Sequence, residues 1–216
     1  MHIPDGFLNT PVIVTTYTLS SGYLIYFWQK VKKQFNEQSV PKIALLAAFI
    51  FVAQMINIPI SEGTSGHLLG GFLAASLLGP FASVFLISLV LVVQMFVFQD
   101  GGLTALGANI LNMGIAGVCG SYLFFKIISK LEAQFFQKNQ LILFNIFMSA
   151  WLSVEIGAIL CGIELGLSGF ADWKIVVGLM SGVHAIIGVL EGILTVFIYQ
   201  AIRHIRPDLI YINQKG

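Results

Sequence analysis

Apolar runs of about 20 residues recur along the whole chain and constrain its fold more than any other feature. A helix rises about 1.5 Å per residue, so such a run matches the roughly 30 Å hydrocarbon core of a membrane. Hydrophobic residues make up 57% of the 216 residues and charged residues only 10%, too few to cover a water-soluble domain. The pattern predicts an all-α integral membrane protein with about seven transmembrane helices, at residues 8–28, 42–60, 67–79, 81–98, 104–128, 141–163 and 174–202.

The polar stretches between these segments do not suggest a second domain. Residues 29–42 and 129–140 are too short to fold separately. We therefore interpret residues 1–216 as one polytopic membrane domain. Residues 1–7 form an N-terminal segment and residues 8–203 form the helical bundle.

The third apolar segment is too short to cross a membrane alone. It begins at His67 and stops at Gly79, before Pro80, which cannot continue a helix. One end of this helix should therefore lie at membrane depth, approached by an irregular loop, residues 61–65, that is buried in protein.

The distribution of lysine and arginine predicts the orientation in the membrane. With the C-terminus and the loops at residues 29–42 and 126–140 inside, ten of the eleven basic residues are cytoplasmic, and only Lys174 is outside. Seven crossings then put the N-terminus outside. The outer side is predicted to be acidic, because its loops contain Glu62, Asp100, Glu164 and Asp172.

Several function classes are disfavoured by composition. A net charge of +1 without an extended basic patch gives no indication of nucleic-acid binding. Cys119 and Cys161 lack CxxC spacing and are expected to be small core residues rather than thiolate ligands. No basic residue precedes the first apolar run, so we expect no cleaved signal peptide and a mature N-terminus as written.

The first two residues form a potential metal chelate. The α-amine of Met1 and the amide nitrogen of His2 would close a five-membered ring on a metal, and that amide nitrogen with Nδ1 of His2 would close a six-membered ring. His67, on the predicted outer side and flanked by glycines, could supply a fourth nitrogen. A planar set of nitrogens favours Ni(II) or Cu(II) over zinc. The alternative is that both histidines are ordinary capping or surface residues.

Polar residues at lipid depth are expensive and are either functional or paired with one another. Those predicted near the outer surface are candidates to orient the imidazoles, although helix-to-helix hydrogen bonding is an equal alternative. They are Ser61, Glu62, Ser65, Gln94, Asn109 and Asn112. Deeper in the membrane, Glu155, His184 and Glu191 could form a proton or ion route, or a buried hydrogen-bonded pair between His184 and Glu191, which share a helix face.

Three sequence motifs resemble the CbiM/NikM family, the metal-binding S components of energy-coupling factor transporters for cobalt and nickel. They are MHIPDG at residues 1–6, GTSGHLLGG at 63–71 and DGGLTALGANILNMG at 100–114. The resemblance covers nearly the whole chain. It implies a seven-helix fold with the N-terminal segment inserted into the bundle, and metal ligands at Met1, His2 and His67.

The same resemblance implies a location and partners. It places the chain in a prokaryotic cell membrane, with Ni²⁺, or alternatively Co²⁺, as transported ligand and no cofactor. The implied partners are a transmembrane coupling protein, two cytoplasmic ATPases and a small accessory membrane subunit. The chain has no GxxxxGK[ST] phosphate loop, so ATP hydrolysis is expected to come from those partners.

The sequence disfavours two other classes of function. An intramembrane hydrolase would use Ser181 and His184, but the sequence offers no orienting residue and no oxyanion hole. A self-sufficient cation channel or secondary transporter would commonly have paired broken helices, whereas this chain has one short helix without a counterpart.

Overall fold

The computed structural model describes residues 1–37, 39–59, 65–135 and 141–214, and these residues are predominantly helical. The helices are α1 (Thr10–Val31), α2 (Val40–Met55), α3 (Gly71–Leu78), α4 (Pro80–Phe98), α5 (Leu106–Asn109), α6 (Val118–Phe135), α7 (Ile142–Leu167), α8 (Trp173–Ile205) and α9 (Tyr211–Gln214). Short 3₁₀ helices follow α1 at Lys32–Gln34 and α8 at Pro207–Leu209.

Among the described residues, four stretches are long and apolar enough to cross a membrane. They are Pro80–Phe98, Leu106–Gln134, Ile142–Leu167 and Trp173–Ile205, and α2 is apolar but shorter. Many large apolar side chains, such as Phe96, Ile186 and Phe197, remain exposed on these helices. Side chains of this kind on the outer face of a bundle are suited to contact with lipid.

A β-hairpin occupies the end of the second predicted helix and the start of the third, because α2 ends at Met55 rather than at residue 60. Strand β1 (Asn57–Pro59) pairs antiparallel with β2 (Ser65–His67), and Asn57 lies opposite His67. The expectation that His67 begins a helix was wrong. His67 ends β2, and α3 begins only at Gly71, after Gly70 adopts a left-handed conformation with φ of 73°.

The third helix is even shorter than expected, at eight residues. It ends at Gly79, whose φ of 82° is accessible mainly to glycine, and Pro80 begins α4. Tyr211 packs directly against Gly79, since a Cβ on this glycine would lie 2.7 Å from its ring. The C-terminal segment therefore closes the bundle at this end.

A π-helical stretch, Ile110–Gly117, joins α5 to α6. The wider turn interrupts the regular spacing of side chains on the helix and is frequent at functional sites. Asn109 and Asn112 lie at the start of this stretch and are almost fully buried.

The N-terminal segment and the two residues between it and α1 lie at one end of the bundle, with the end of α7. The Asn9 side chain caps α1 by accepting from the Val12 amide, and it also donates to the Leu167 carbonyl at 3.0 Å. Phe7 stacks on Phe170, with ring centroids 4.2 Å apart. The end of α7 and its connection to α8 thus hold the residues just before α1 in place.

Candidate metal site

The first three residues are inserted into the protein interior. Met1 is 1% exposed, His2 is 4% exposed and Ile3 is fully buried. Asn109 holds the main chain of Ile3 on both sides: its Oδ1 accepts from the Ile3 amide at 2.9 Å, and its Nδ2 donates to the Ile3 carbonyl at 3.2 Å. The Gly102 amide also donates to that carbonyl. The insertion expected for this segment is therefore present.

Asp5 secures the segment where it leaves the bundle. Its carboxylate accepts from the amides of Leu103 and Thr104 and from the Thr104 hydroxyl. These hydrogen bonds, led by that of the hydroxyl, hold the pKa of Asp5 below its usual range. Gly102 is required here, because a Cβ on it would lie 2.3 Å from the Asp5 amide nitrogen.

The insertion brings His2 beside His67. Their ring centroids are 4.5 Å apart, and the planes are tilted by 39°. His67 is 1% exposed. Its Nδ1 lies 2.8 Å from the Leu68 carbonyl, which can only accept, so Nδ1 bears the proton and Nε2 keeps a lone pair. That Nε2 is buried and has no hydrogen-bond partner among the described residues.

The Met1 amine lies beside β2, the strand that ends at His67. It donates to the Ser65 carbonyl, two residues before His67 on β2. The Met1 thioether packs on α7, because a Cβ on Gly157 would lie 3.1 Å from its sulfur. A neutral amine bound to a metal through its lone pair retains two N–H groups, so the contact with Ser65 is compatible with metal binding.

Burial controls the protonation of these nitrogens. It lowers the pKa of the Met1 amine from 8.0 to about 6, although nearby Cys161 and Asp100 act in the opposite direction. Burial likewise lowers the pKa of His2. Both groups therefore favour their neutral forms, which have lone pairs available for a metal.

Asp100 is a carboxylate neighbour of this group. Its Oδ1 lies 2.8 Å from Nδ1 of His2. Burial would raise the pKa of Asp100, but His2 and the Met1 amine together lower it. The site therefore contains one anion next to nitrogens that are mainly neutral.

Side chains alone do not supply a complete metal site. Within residues 1–37, 39–59, 65–135 and 141–214, no group of three or more His, Cys, Asp and Glu residues is placed to hold a metal ion. A site at His2 and His67 therefore needs main-chain nitrogens to reach four ligands. The Met1 amine and the His2 amide are suited to that purpose, because they belong to the same buried segment.

A family model described as "Cobalt uptake substrate-specific transmembrane region", CbiM, matches residues 2–209. The chain belongs to the CbiM family. It is a multi-pass membrane protein of a family of nickel and cobalt transport proteins, and the relatives found are transport proteins rather than enzymes.

CbiM-family relatives match along nearly the whole chain. A putative fused nickel transport protein NikMN of Archaeoglobus fulgidus is 37% identical over 97% of this chain and 68% of its own length. A putative metal transport protein of Haloquadratum walsbyi is 33% identical over 98% of this chain and 94% of its own. A putative cobalt transport protein CbiM 1 of Methanosphaerula palustris is 30% identical over 97% and 92%.

Two solved structures have the same fold. A crystal structure of a transition metal transporter superimposes with a TM-score of 0.86 at 26% identity, covering 95% of this chain and 93% of that one. A truncated transition metal transporter gives a TM-score of 0.85 at 27% identity, covering 94% and 99%.

Of the polar residues expected to surround the candidate site, Asn109 contacts the N-terminal segment through its side chain, and Ser65 does so through its carbonyl. Asn112 instead donates to Glu164 at 2.6 Å. The side-chain amide of Gln94 is buried without a hydrogen-bond partner in the described part of the chain. Ser61 and Glu62 lie outside the described residues.

The deeper ionisable residues do not form the expected pair. Glu191 accepts from the amides of Leu69 and Gly70, at 3.0 and 2.7 Å, whereas His184 contacts the Met180 carbonyl. Ser181 donates to Glu155 at 2.8 Å rather than to His184, so the serine and base of the hydrolase hypothesis are not joined.

Sequence reasoning missed three acidic residues. Asp5 and Asp100 were not recognised as partners of the loop at 103–104 and of His2. Glu164, expected in an outer loop, lies within α7 and is 7% exposed. The only signal in the sequence was that Asp5 and Asp100 belong to the motifs at residues 1–6 and 100–114.

Proposed function

We propose that this chain is the substrate-specific S component of an ATP-driven energy-coupling factor transporter, and that it captures nickel, or alternatively cobalt, for uptake into the cell. The observation that supports this most strongly is the burial of the Met1 amine beside His2 and His67. Burial favours the neutral form of the amine, whose lone pair is then available to a metal ion.

The proposed ligands are the Met1 amine, the amide nitrogen and Nδ1 of His2, and Nε2 of His67. Two fused chelate rings place the first three nitrogens nearly in one plane, and His67 completes it. Four nitrogens in a plane suit Ni(II), and Co(II) is the alternative cargo. The Leu68 carbonyl fixes the His67 tautomer so that Nε2 is available.

Metal binding through Nδ1 of His2 requires that nitrogen to leave Asp100. Its Nδ1 lies 2.8 Å from Oδ1 of Asp100, and it cannot keep that contact while its lone pair binds a metal. Rotation by about half a turn about the Cβ–Cγ bond exchanges Nδ1 with Cδ2, and imidazole χ2 is broadly two-fold. We propose that the ion replaces the contact with Asp100, which then faces a site of positive charge.

The proposed topology has seven crossings with the N-terminus outside. Four of these crossings are the long apolar stretches, and we assign the other three to α1, to α2 and to the hairpin together with α3. Lys42 supports the proposed orientation. Its Nζ donates to the carbonyls of Leu77 and Leu209, at 2.7 Å each, so this lysine lies with the C-terminal segment. The metal site would then open toward the outside.

The transport role can be tested by nickel uptake in cells that lack other nickel transporters. The chain would be produced alone, with a coupling protein and two ATPases, and with ATPases lacking the phosphate-loop lysine. We expect accumulation of radioactive nickel only with intact ATPases. Equal uptake by the chain alone would contradict the proposal and favour a self-sufficient channel or secondary transporter.

The pH dependence of nickel affinity tests the buried amine. Binding releases the His2 amide proton at any pH, and it also releases the amine proton wherever the free protein still holds it. Because the pKa of the amine is about 6, the logarithm of the affinity should rise with a slope of about one well above pH 6 and more steeply below it, where the free protein holds the amine proton.

Titrations between pH 5 and 8 with competing chelators would measure this slope. An amine in water has its pKa near 8.0. A slope that stays near two up to pH 8 would therefore show that the Met1 amine is not buried before the metal binds.

A further inference from the structure

His184 has a buried ring nitrogen that the proposed N-terminal chelate does not use. It is fully buried in α8, and its Nδ1 lies 2.7 Å from the Met180 carbonyl one turn earlier. Since a carbonyl only accepts, Nδ1 bears the proton, and Nε2 keeps its lone pair. That Nε2 is buried and finds no hydrogen-bond partner among the residues that the structure describes. An unpaired buried acceptor is destabilising, and a bound ligand would satisfy it.

His67 has the same arrangement. In both residues Nδ1 donates to a main-chain carbonyl, of Leu68 or of Met180, and Nε2 is buried with no partner in the described part of the chain. Metal-binding histidines typically donate their other ring N–H to a carbonyl or carboxylate in this way, which fixes the tautomer and the ring orientation. Both imidazoles are therefore prepared to donate a lone pair from Nε2.

The two imidazoles lie on elements that pack against each other. Glu191, seven residues after His184 and so on the same face of α8, accepts from the amides of Leu69 and Gly70. This face of α8 therefore packs against the chain just after His67. In addition, α8 contacts β2, the strand that ends at His67.

We propose that His184 is a further nitrogen ligand, which with Nε2 of His67 holds the ion whenever the Met1 amine is not bound to it. This inference rests on the proposed metal capture, because the cargo is the same ion. His67 belongs to both coordination modes. The ion can therefore pass between the N-terminal chelate and the α8 side without losing all of its protein ligands.

The test uses a protein in which the chelate is disabled by one glycine added before Met1. Residual Co(II) binding is measured by absorption titration, and the number of imidazole ligands by X-ray absorption. In this background we expect His184→Gln to weaken residual binding by at least about tenfold and to remove one imidazole. The matched control is His204→Gln, at an exposed histidine near the end of α8, which should change neither quantity.

A second variant separates ligation from folding. His184→Cys in the same background should restore binding and add a thiolate-to-cobalt charge-transfer band that the parent lacks. Unchanged residual binding in His184→Gln, or His184→Cys without the band, would overturn the proposal. If the protein with the added glycine still binds the ion tightly, the proposed N-terminal chelate is contradicted. The comparison of His184→Gln with its parent then still shows whether His184 is a ligand.

Discussion

Replacing His67 with glutamine is expected to lower the Ni(II) affinity of the purified protein by at least about 100-fold, more than the loss of a residue that only supports a ligand. Glutamine fills a similar volume but offers no imidazole nitrogen. Its amide cannot complete the planar set of nitrogens. The planar-nickel absorption band should disappear with the affinity, and isothermal titration together with the visible spectrum would measure both.

The control for this variant is His204→Gln, which removes an exposed histidine from the last turn of α8. Its nickel affinity should equal that of the parent. An affinity of His67→Gln within about threefold of the parent would show that His67 is not a ligand, because loss of even a supporting contact typically costs more.

Asn109→Ala is expected to weaken nickel binding by about tenfold, because it disfavours insertion of the N-terminal segment. The variant removes both hydrogen bonds to the Ile3 main chain. A buried N–H without a partner costs about 1–3 kcal/mol, and about 1.4 kcal/mol is a factor of ten in affinity. In the proposed site the Met1 amine and His2 bind the metal only while the segment is inserted, so a variant that disfavours insertion lowers the affinity.

Asn145→Ala is a matched control for Asn109→Ala. Asn145 is also buried, and its side chain donates to the Phe125 carbonyl and to the Ser129 hydroxyl, away from the N-terminal segment. Both variants should lower the melting temperature, but only Asn109→Ala should weaken nickel binding. Equal affinities of the two variants would mean that insertion of the segment is not coupled to metal capture.

The helices could be predicted from the sequence because their signal is local. An apolar run long enough to cross a membrane is visible without knowledge of its neighbours, as α4 and α8 illustrate. The hairpin was missed because β1 and β2 have three residues each, too few to show a strand periodicity. The start of α3 was misplaced because Gly70 in a left-handed conformation separates it from His67.

The candidate metal site could be proposed from the sequence only as far as it depends on covalent chemistry. A free amine followed by His2 forms chelate rings whatever the fold, so Met1 and His2 could be chosen from the sequence. The contact between His2 and Asp100 joins residues almost a hundred positions apart, and no local pattern predicts it. The same holds for Asn112 with Glu164, whose pairing depends on how α7 packs against the π-helical stretch.

The central claim, that the Met1 amine is a metal ligand, is tested most directly by titrating the native protein and a form with one residue added before Met1. Ni(II) affinity and the planar-nickel absorption band would be measured for both in detergent. We predict tight binding with the band for the native terminus, and loss of both in the extended protein. Equal affinity and an equal band in the two proteins would contradict the account.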